Sequence, residues 1–366
     1  MKKILILGMS ATLGGVETYI YNLIKNINKE QYDFDFLVVD NNKSVFQDEI
    51  NHILGDNREH FFYAPNLKKE HFKAKKWLVN FYDNHRYDMI YMNTCTAARI
   101  NYCLYAIRKY KTPLITHSHS GNATSKIQVL SNRLYRRKCT KLSSVKLACS
   151  EVAYRWLFTD DECKDSIVPN GVDLERFGFK QVWRDEIRQK LGISENEILI
   201  GNVGRISPQK NQKYLLTLCK MLEKKYRIMI IGDGELKESM EQDIERLDIA
   251  EKIILLPATN DIEKYYSAMD IFVMPSVFEG LPIVGIEAQA EGLPCIFSTN
   301  ISQQTGLSEF SRFVDLDDID GWLNAIKEYS GMRYNGKMVV KNAGFDCMRP
   351  VKKIESTFCD LEGSIK

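Results

Sequence analysis

Short runs of β-branched and aliphatic residues alternate with longer amphipathic stretches along the whole chain. In the first half, residues 3–8, 35–39, 61–63, 89–92, 114–116 and 145–148 predict strands. Residues 16–28, 69–84, 97–109, 126–141 and 151–158 between them place apolar positions three and four apart and predict helices. The second half repeats the rhythm. Strands are expected at 198–203, 228–231, 253–256, 271–274 and 295–297, and helices at 212–225, 235–247, 262–268, 282–290 and 321–329. Runs such as Ile198-Leu199-Ile200 and Ile228-Met229-Ile230-Ile231 are continuously apolar, as strands buried on both faces must be. This βαβα order predicts α/β architecture, with doubly wound parallel sheets covered on both sides.

Pro169-Asn170-Gly171 is turn chemistry, and 172–179 has neither a period of 2 nor one of 3.6. The expected division is therefore a first domain over 1–172 and a second over 173–347. A closing helix, 348–366, could rest on either domain, a return to the first being one option. At 366 residues the chain has material for about two domains. Two doubly wound domains facing each other across a cleft is the architecture this implies, with ligands beyond the carboxyl ends of the strands.

Composition narrows the classes. Hydrophobic residues are 44% and charged residues 27%, which excludes disordered and collagenous chains. The nine cysteines are an odd number and none forms C-x-x-C, so neither a disulfide framework nor a zinc ribbon is expected. Reduced thiols, no apolar run of about 20 residues and no signal-type start predict a cytoplasmic chain. The net charge of +2 hides an imbalance. Residues 1–175 carry +6 and the rest −4, and 58–146 hold 18 basic residues against four acids. Such a region is either a solvated face or a surface for anionic lipid or a polyanionic acceptor, at the inner face of the cell membrane. No recognition motif accompanies the charge, so nucleic acid is set aside.

Four segments carry candidate chemistry, each a strand end running through a loop into a helix. In the first, Gly14 and Gly15 let a backbone approach a ligand at a helix start. The pattern is not G-x-G-x-x-G, and Asp40 is the nearest acid for a ribose. In the second, Gly204 turns the chain and Arg205 and Lys210 stand five apart, a fork and a point charge suited to pyrophosphate. The third runs from Pro275 to Ala288. Pro282 falls at the first helical position, where no N–H is needed, and the N–H groups around Leu281 to Val284 form an anion cradle. Glu279 and Gly280 precede that helix and Glu287 lies inside it; carboxylates beside a phosphate need hydroxyl partners, and sugar and ribose supply them. In the fourth, His117 and His119 sit two apart in Thr116–Asn122, which is not the helical i, i+4 metal spacing, so a substrate-facing or structural histidine is expected and no metal. Asp33-Phe34-Asp35 and Asp315-Leu316-Asp317 read as solvated or capping carboxylates.

Together these segments resemble glycosyltransferase family 4, the retaining GT-B enzymes, over most of the chain. Gly14–Thr18, Pro169–Asp173, Val203-Gly204-Arg205 with Lys210-Asn211, and Gly232-Asp233-Gly234 look like its signatures. Glu279 and Glu287 match its E-x7-E motif. The chain is most similar to bacterial capsular and exopolysaccharide transferases. The resemblance implies a GT-B fold of two Rossmann-like domains and a nucleotide-sugar donor, UDP-linked for preference. It implies transfer of a hexose or N-acetylhexosamine, with retention, to a saccharide or lipid-diphosphate-linked acceptor, with no cofactor and no metal. It gives Glu287 the ribose hydroxyls, and Glu279 with the N–H groups of Leu281 to Ile283 the donor sugar. Arg205 and Lys210 take the departing diphosphate, Gly15 lets the first domain close on it, and His119, with His117 as second choice, serves the acceptor side. Pro257-Ala258-Thr259 departs from the family, which often has glycine there. A nucleotide-sugar epimerase or hydrolase of the same shape is the rival reading. An NAD-dependent oxidoreductase would require G-x-G-x-x-G, and a non-catalytic binder would not require both glutamates beside two cations.

Overall fold

The computed structural model describes residues 1–12, 14–39, 42–55, 58–121, 125–161 and 163–363. Asp40 and Asn122, singled out in the sequence, lie outside the described residues. The chain divides into two compact units, Met1–Gly171 with Cys347–Lys366, and Val172–Asp346.

The first unit is a six-stranded parallel sheet. Its strands are β1 (Lys2–Leu7), β2 (Tyr32–Val38), β3 (Phe61–Tyr63), β4 (Met89–Thr94), β5 (Leu114–Ser118) and β6 (Val145–Ala148), in the order β3-β2-β1-β4-β5-β6. Side chains alternate across it. Ile4, Ile6, Phe34 and Phe36 pack under helix Gly15–Asn26, and Leu5, Leu7, Ile90 and Met92 build the core on the opposite face. The closing helix Met348–Gly363 joins the first of these cores through Val351, Ile354 and Phe358.

The second unit repeats the plan with β7 (Ile198–Val203), β8 (Tyr226–Ile231), β9 (Ile253–Leu256), β10 (Ile271–Met274), β11 (Cys295–Ser298) and β12 (Ser311–Val314). Its order is β12-β11-β10-β7-β8-β9, all parallel. Each sheet therefore reverses its winding between its first and fourth strands, β1 and β4 in one and β7 and β10 in the other. Loops leaving those strands diverge and open a crevice.

Two elements differ from the sequence expectation in a way that matters for function. Strand β5 runs to Ser118, two residues beyond the expected end, which turns His117 into a strand position. Asp35 is not a solvated carboxylate. It is fully buried and accepts from Arg58 at 2.5 Å and Tyr87 at 2.8 Å, with Lys3 at 3.1 Å. Asp33 also pairs with Arg58, so this D-x-D is an ion-pair node holding β2. All nine cysteines are free thiols, six of them buried. Among the described residues no helix is long and apolar enough to cross a membrane.

Candidate active site

In the second unit the loop after β7 is laid directly on the loop after β8. Gly204 N–H donates to Ile231, and Ile206 N–H to Asp233. Gly232 has φ +157°, and a Cβ there would sit 2.0 Å from the Gly204 carbonyl oxygen, so only glycine permits this contact. The departing Pro257-Ala258-Thr259 loop ties into the same corner, Ala258 N–H donating to Asp233 at 2.9 Å.

The turn after Gly204 aims Lys210 at the loop after β10. Lys210 Nζ lies 2.9 Å from Glu279 Oε1, and both side chains are largely buried. Gln209 braces the pair, donating to Glu279 Oε1 at 3.3 Å and to the Phe278 carbonyl at 3.0 Å. Asn211, held at φ +54°, donates to the Pro275 carbonyl at 3.1 Å. Two loops from the two strands of the switch point are thus stitched by side chains. The sequence reading named Lys210 and Glu279, and Asn211 as part of a signature, but gave Gln209 and Asn211 no role, since their bonds reach about 70 residues along the chain.

Beyond Glu279, Gly280 and Leu281 lead into helix Ile283–Ala290. Pro282 is the residue before the helix (ψ 113°), not its first residue as expected. The helix start has no side-chain cap. Gly285 N–H donates to the Pro282 carbonyl at 3.0 Å, and the N–H groups of Ile283 and Val284 before it are presented without a side-chain cap. Glu287 sits just over a turn further on, buried, accepting from Tyr266 Oη at 3.2 Å. Burial pushes its carboxyl up to about 7, and Arg176 and the Tyr266 hydroxyl pull the other way. One turn further, Glu291 is also pushed up to about 7, first by burial. It accepts from the Gly178 N–H and Ser267 Oγ, both at 2.9 Å, so its oxygens are structural. Glu287, by contrast, keeps an oxygen with no partner among these. Arg205 stands apart. Its guanidinium meets Glu235 at 3.0 Å and is mostly exposed, so the structure does not bring it to Lys210 and Glu279.

In the first unit Gly14 precedes helix Gly15–Asn26 in extended backbone. A Cβ there would lie 2.9 Å from Glu17 Oε2, whereas at Gly15 it would meet only Asn170 Nδ2, at 3.8 Å. Glu17 is buried and accepts from Ser10 Oγ at 2.6 Å; burial raises its carboxyl above the usual range.

The two histidines part company here. His117 shares the face of Ile115 on β5 and is fully buried. Its Nε2 lies 3.1 Å from the Val168 carbonyl, which can only accept, so Nε2 carries the proton. Nδ1 then accepts from Tyr91 Oη at 2.7 Å, and Tyr91 accepts from Tyr19 at 2.9 Å. With both nitrogens engaged, His117 has nothing to offer a ligand, which removes it from the acceptor-side set. His119 is half-buried. Nδ1 is 3.1 Å from Asn170 Oδ1 and Nε2 is 2.9 Å from Asn93 Oδ1. Burial pulls the ring down to about 4, so it is neutral and cannot donate to both oxygens. Asn93 Nδ2 is buried without a partner. Turning the Asn93 amide lets its Nδ2 donate to His119 Nε2 and leaves His119 donating to Asn170, with Asn93 Oδ1 then in the position that has no partner. Asn93 is the residue sequence reasoning missed. Among the described residues no cluster of three or more His, Cys, Asp or Glu is placed to hold a metal.

This geometry agrees with what the chain resembles. A family model described as Glycosyltransferase Family 4 matches residues 13–176, and one described as Glycosyl transferases group 1 matches 184–307. The chain belongs to the glycosyltransferases of family 4, with the GT-B fold. Among its relatives is the putative glycosyltransferase EpsF of Bacillus subtilis, 29% identical over 330 residues, covering 86% of this chain and 84% of that one. Another is the UDP-Gal:alpha-D-GlcNAc-diphosphoundecaprenol alpha-1,3-galactosyltransferase of Escherichia coli, 29% identical over 378 residues, covering 95% and 94%. Among solved structures, Anabaena Alr3699/HepE in complex with UDP-glucose superposes with a TM-score of 0.80 at 19% identity, covering 98% of this chain and all of the other. None of these is an epimerase or a hydrolase by name, and the rival reading is not favoured.

Proposed function

We propose that this glycosyltransferase moves a hexose or N-acetylhexosamine from a UDP-sugar to a saccharide on a lipid diphosphate, with retention, in the synthesis of a surface glycan. The observation that carries the reading is the Lys210–Glu279 pair beside the uncapped start of helix Ile283–Ala290. Leaving-group charge grows on a diphosphate as the sugar departs. A fixed ammonium and helix N–H groups stabilise that charge without a metal. In the resting protein Glu279 neutralises Lys210. A diphosphate arriving at Lys210 would free Glu279 to accept from sugar hydroxyls. Glu287, with an oxygen to spare two residues beyond Gly285, suits a ribose diol. His119 is neutral, so its part is to position a hydroxyl rather than to deliver a proton.

The names of two relatives support the acceptor class. One acts on a GlcNAc-diphosphoundecaprenol, and one from Campylobacter jejuni is a diphospho-undecaprenol N-acetylgalactosaminyltransferase, 25% identical over 224 residues. Retention follows in this reading from displacement on one face of the sugar, the diphosphate taking the acceptor proton. Trapping a covalent glycosyl–protein adduct by mass spectrometry would exclude that route. The direct test of the whole reading is calorimetry with UDP, GDP, ADP and NAD, each in EDTA. Tight UDP binding that Glu287→Ala abolishes is expected. Binding of NAD alone, or of no nucleotide, would overturn it.

A further inference from the structure

A groove of about 950 Å³ opens in the first unit beside the carboxyl ends of β2, β3 and β4, at Val39, Leu67 and Thr96. Lys68, Lys75, Arg99, Arg108, Lys109 and Lys138 line it, and no carboxylate does. Lys109 is paired with Asp83 at 2.9 Å. Among the described residues the other five have no ion-pair partner. Lys138 Nζ donates to the neutral amide oxygen of Asn101 at 3.3 Å and lies 5.8 Å from the centre of the Tyr135 ring. Its ammonium is pulled below the ordinary range, first by burial and then by the charge of Arg108. Like charges gathered around a hollow oppose folding, and an anion filling the hollow reverses that cost.

We propose that this groove is the seat of the acceptor's diphosphate, so that the enzyme recognises its acceptor by the anionic anchor as well as by the sugar. The inference rests on the transferase reading above and assigns it a second ligand site. An arginine fork and a lysine point charge across a hollow suit a phosphate better than they suit a carboxylate-poor sugar. The volume exceeds what a phosphate alone would fill and falls within the range of drug-sized ligands. The remaining walls explain the surplus. Leu67, Leu78, Leu104, Tyr102 and Tyr135 offer an amphiphile apolar and aromatic surface next to the cations.

Helix Lys126–Leu142 extends this amphipathy outward. Its Ser131, Tyr135 and Lys138 face the groove. Ile127, Leu130 and Leu134, an i, i+3, i+7 stripe, are 78%, 69% and 73% exposed. A soluble helix buries such a stripe; here it forms a ledge on which a lipid tail can lie while its diphosphate sits among the cations. At Thr96 and Arg99 the groove reaches the loop that follows β4, the strand paired with β1, whose own loop leads to Gly14-Gly15. A saccharide attached to a diphosphate in the groove would extend toward that loop.

The test uses the full-length protein and farnesyl diphosphate, below its micelle concentration, at low salt. Calorimetry should show binding, displaced by inorganic pyrophosphate and absent with farnesol. Arg108→Gln with Lys138→Gln should weaken it at least about tenfold, since charged hydrogen bonds are being removed. UDP binding and the melting temperature should not move. Should the double variant fail to fold, Lys75→Gln at an exposed position should weaken farnesyl diphosphate binding in the same direction. Undiminished binding in folded variants would overturn the proposal. So would variants that lose binding to phosphatidylglycerol vesicles yet keep farnesyl diphosphate, because the groove would then read a membrane surface. Wild type that binds farnesyl diphosphate but no UDP would instead break the transferase reading and leave the groove assignment standing.

Discussion

At the switch point of the first sheet stand two glycines, a buried Glu17 and a neutral His119 nearby; at that of the second stand Lys210, Glu279 and an uncapped helix start. The strand order that produces both places is the same. One topology has therefore been equipped twice for different work, and the difference lies in the loops and first helical turns that follow the strands. The second unit carries charges already in contact, which is what a charge-separating step requires. The first carries two glycines, the Glu17 carboxyl and a neutral His119 at its switch point, and its groove cations line the ends of β2, β3 and β4. Binding a charged anchor away from the reacting atoms allows affinity for the acceptor without adding charge where the sugar is transferred.

The comparison breaks most easily at Glu279. Glu279→Ala should reduce transfer by at least about 10²-fold, the usual cost of one contact made to the transition state, with folding intact by circular dichroism. Lys210→Ala should match it, and the double variant should be little worse than either alone, because the pair acts as a unit. Additive losses in UDP release would show that the two act separately.

The histidines offer the next contrast. His117→Phe strands the Val168 carbonyl and the Tyr91 hydroxyl, and should cost about 1–3 kcal/mol per group in denaturant unfolding. His119→Ala should leave stability nearly intact and lower turnover by about tenfold, the low end of what a positioned group contributes. With His119 held at about 4, activity should show no inflection near pH 6.5 from this residue. The reverse pattern, a stable His117 variant with poor turnover, would return the acceptor role to His117.

Glu287 sharpens the second site. Its folded carboxyl titrates near 7 against an ordinary 4.5. Between those values the native state holds a proton that the unfolded state has lost, so this group's contribution to stability falls as pH rises through that window. A ribose diol donates to the ionised form, so UDP affinity should rise from pH 6 to pH 8. Glu287→Gln should flatten that rise in calorimetry. Glu291 and Glu263 face the same region, with Arg176 and Tyr266, and Glu291→Gln should alter stability without altering the slope for UDP. The smallest effect belongs to Arg205. Its exposed pair with Glu235 is worth about 1 kcal/mol or less, and Arg205→Ala should weaken UDP binding less than Lys210→Ala in the same titration.

What the sequence revealed follows from how locally each feature is encoded. Apolar strands such as β7 and β10 were legible because burial on both faces leaves no alternation to misread. Strand β12 was missed because Ser311 and Arg312 make a short polar edge. Helix Gln181–Leu191 was missed because it is held by charge rather than by an apolar stripe. Arg184 and Arg188 reach Asp270 at 2.6 and 3.1 Å, a partner more than 80 residues away. In the site, Lys210, Glu279 and Glu287 were legible because their spacing to turns is local. The burial of His117 and the isolation of Arg205 depend on packing that spacing does not record.

The closing helix carries a consequence for assembly of the chain. Val351, Ile354 and Phe358 complete a core begun by Ile4 and Ile6, so the first unit is discontinuous in sequence. The second unit, Val172–Asp346, is contiguous and can close as soon as it has emerged from the ribosome. The unit made first is therefore the one finished last. Until residue 361 is synthesised, a nascent sheet waits with an uncovered apolar face at Tyr32 and Tyr91, which makes early termination near residue 346 an aggregation hazard rather than a mild truncation.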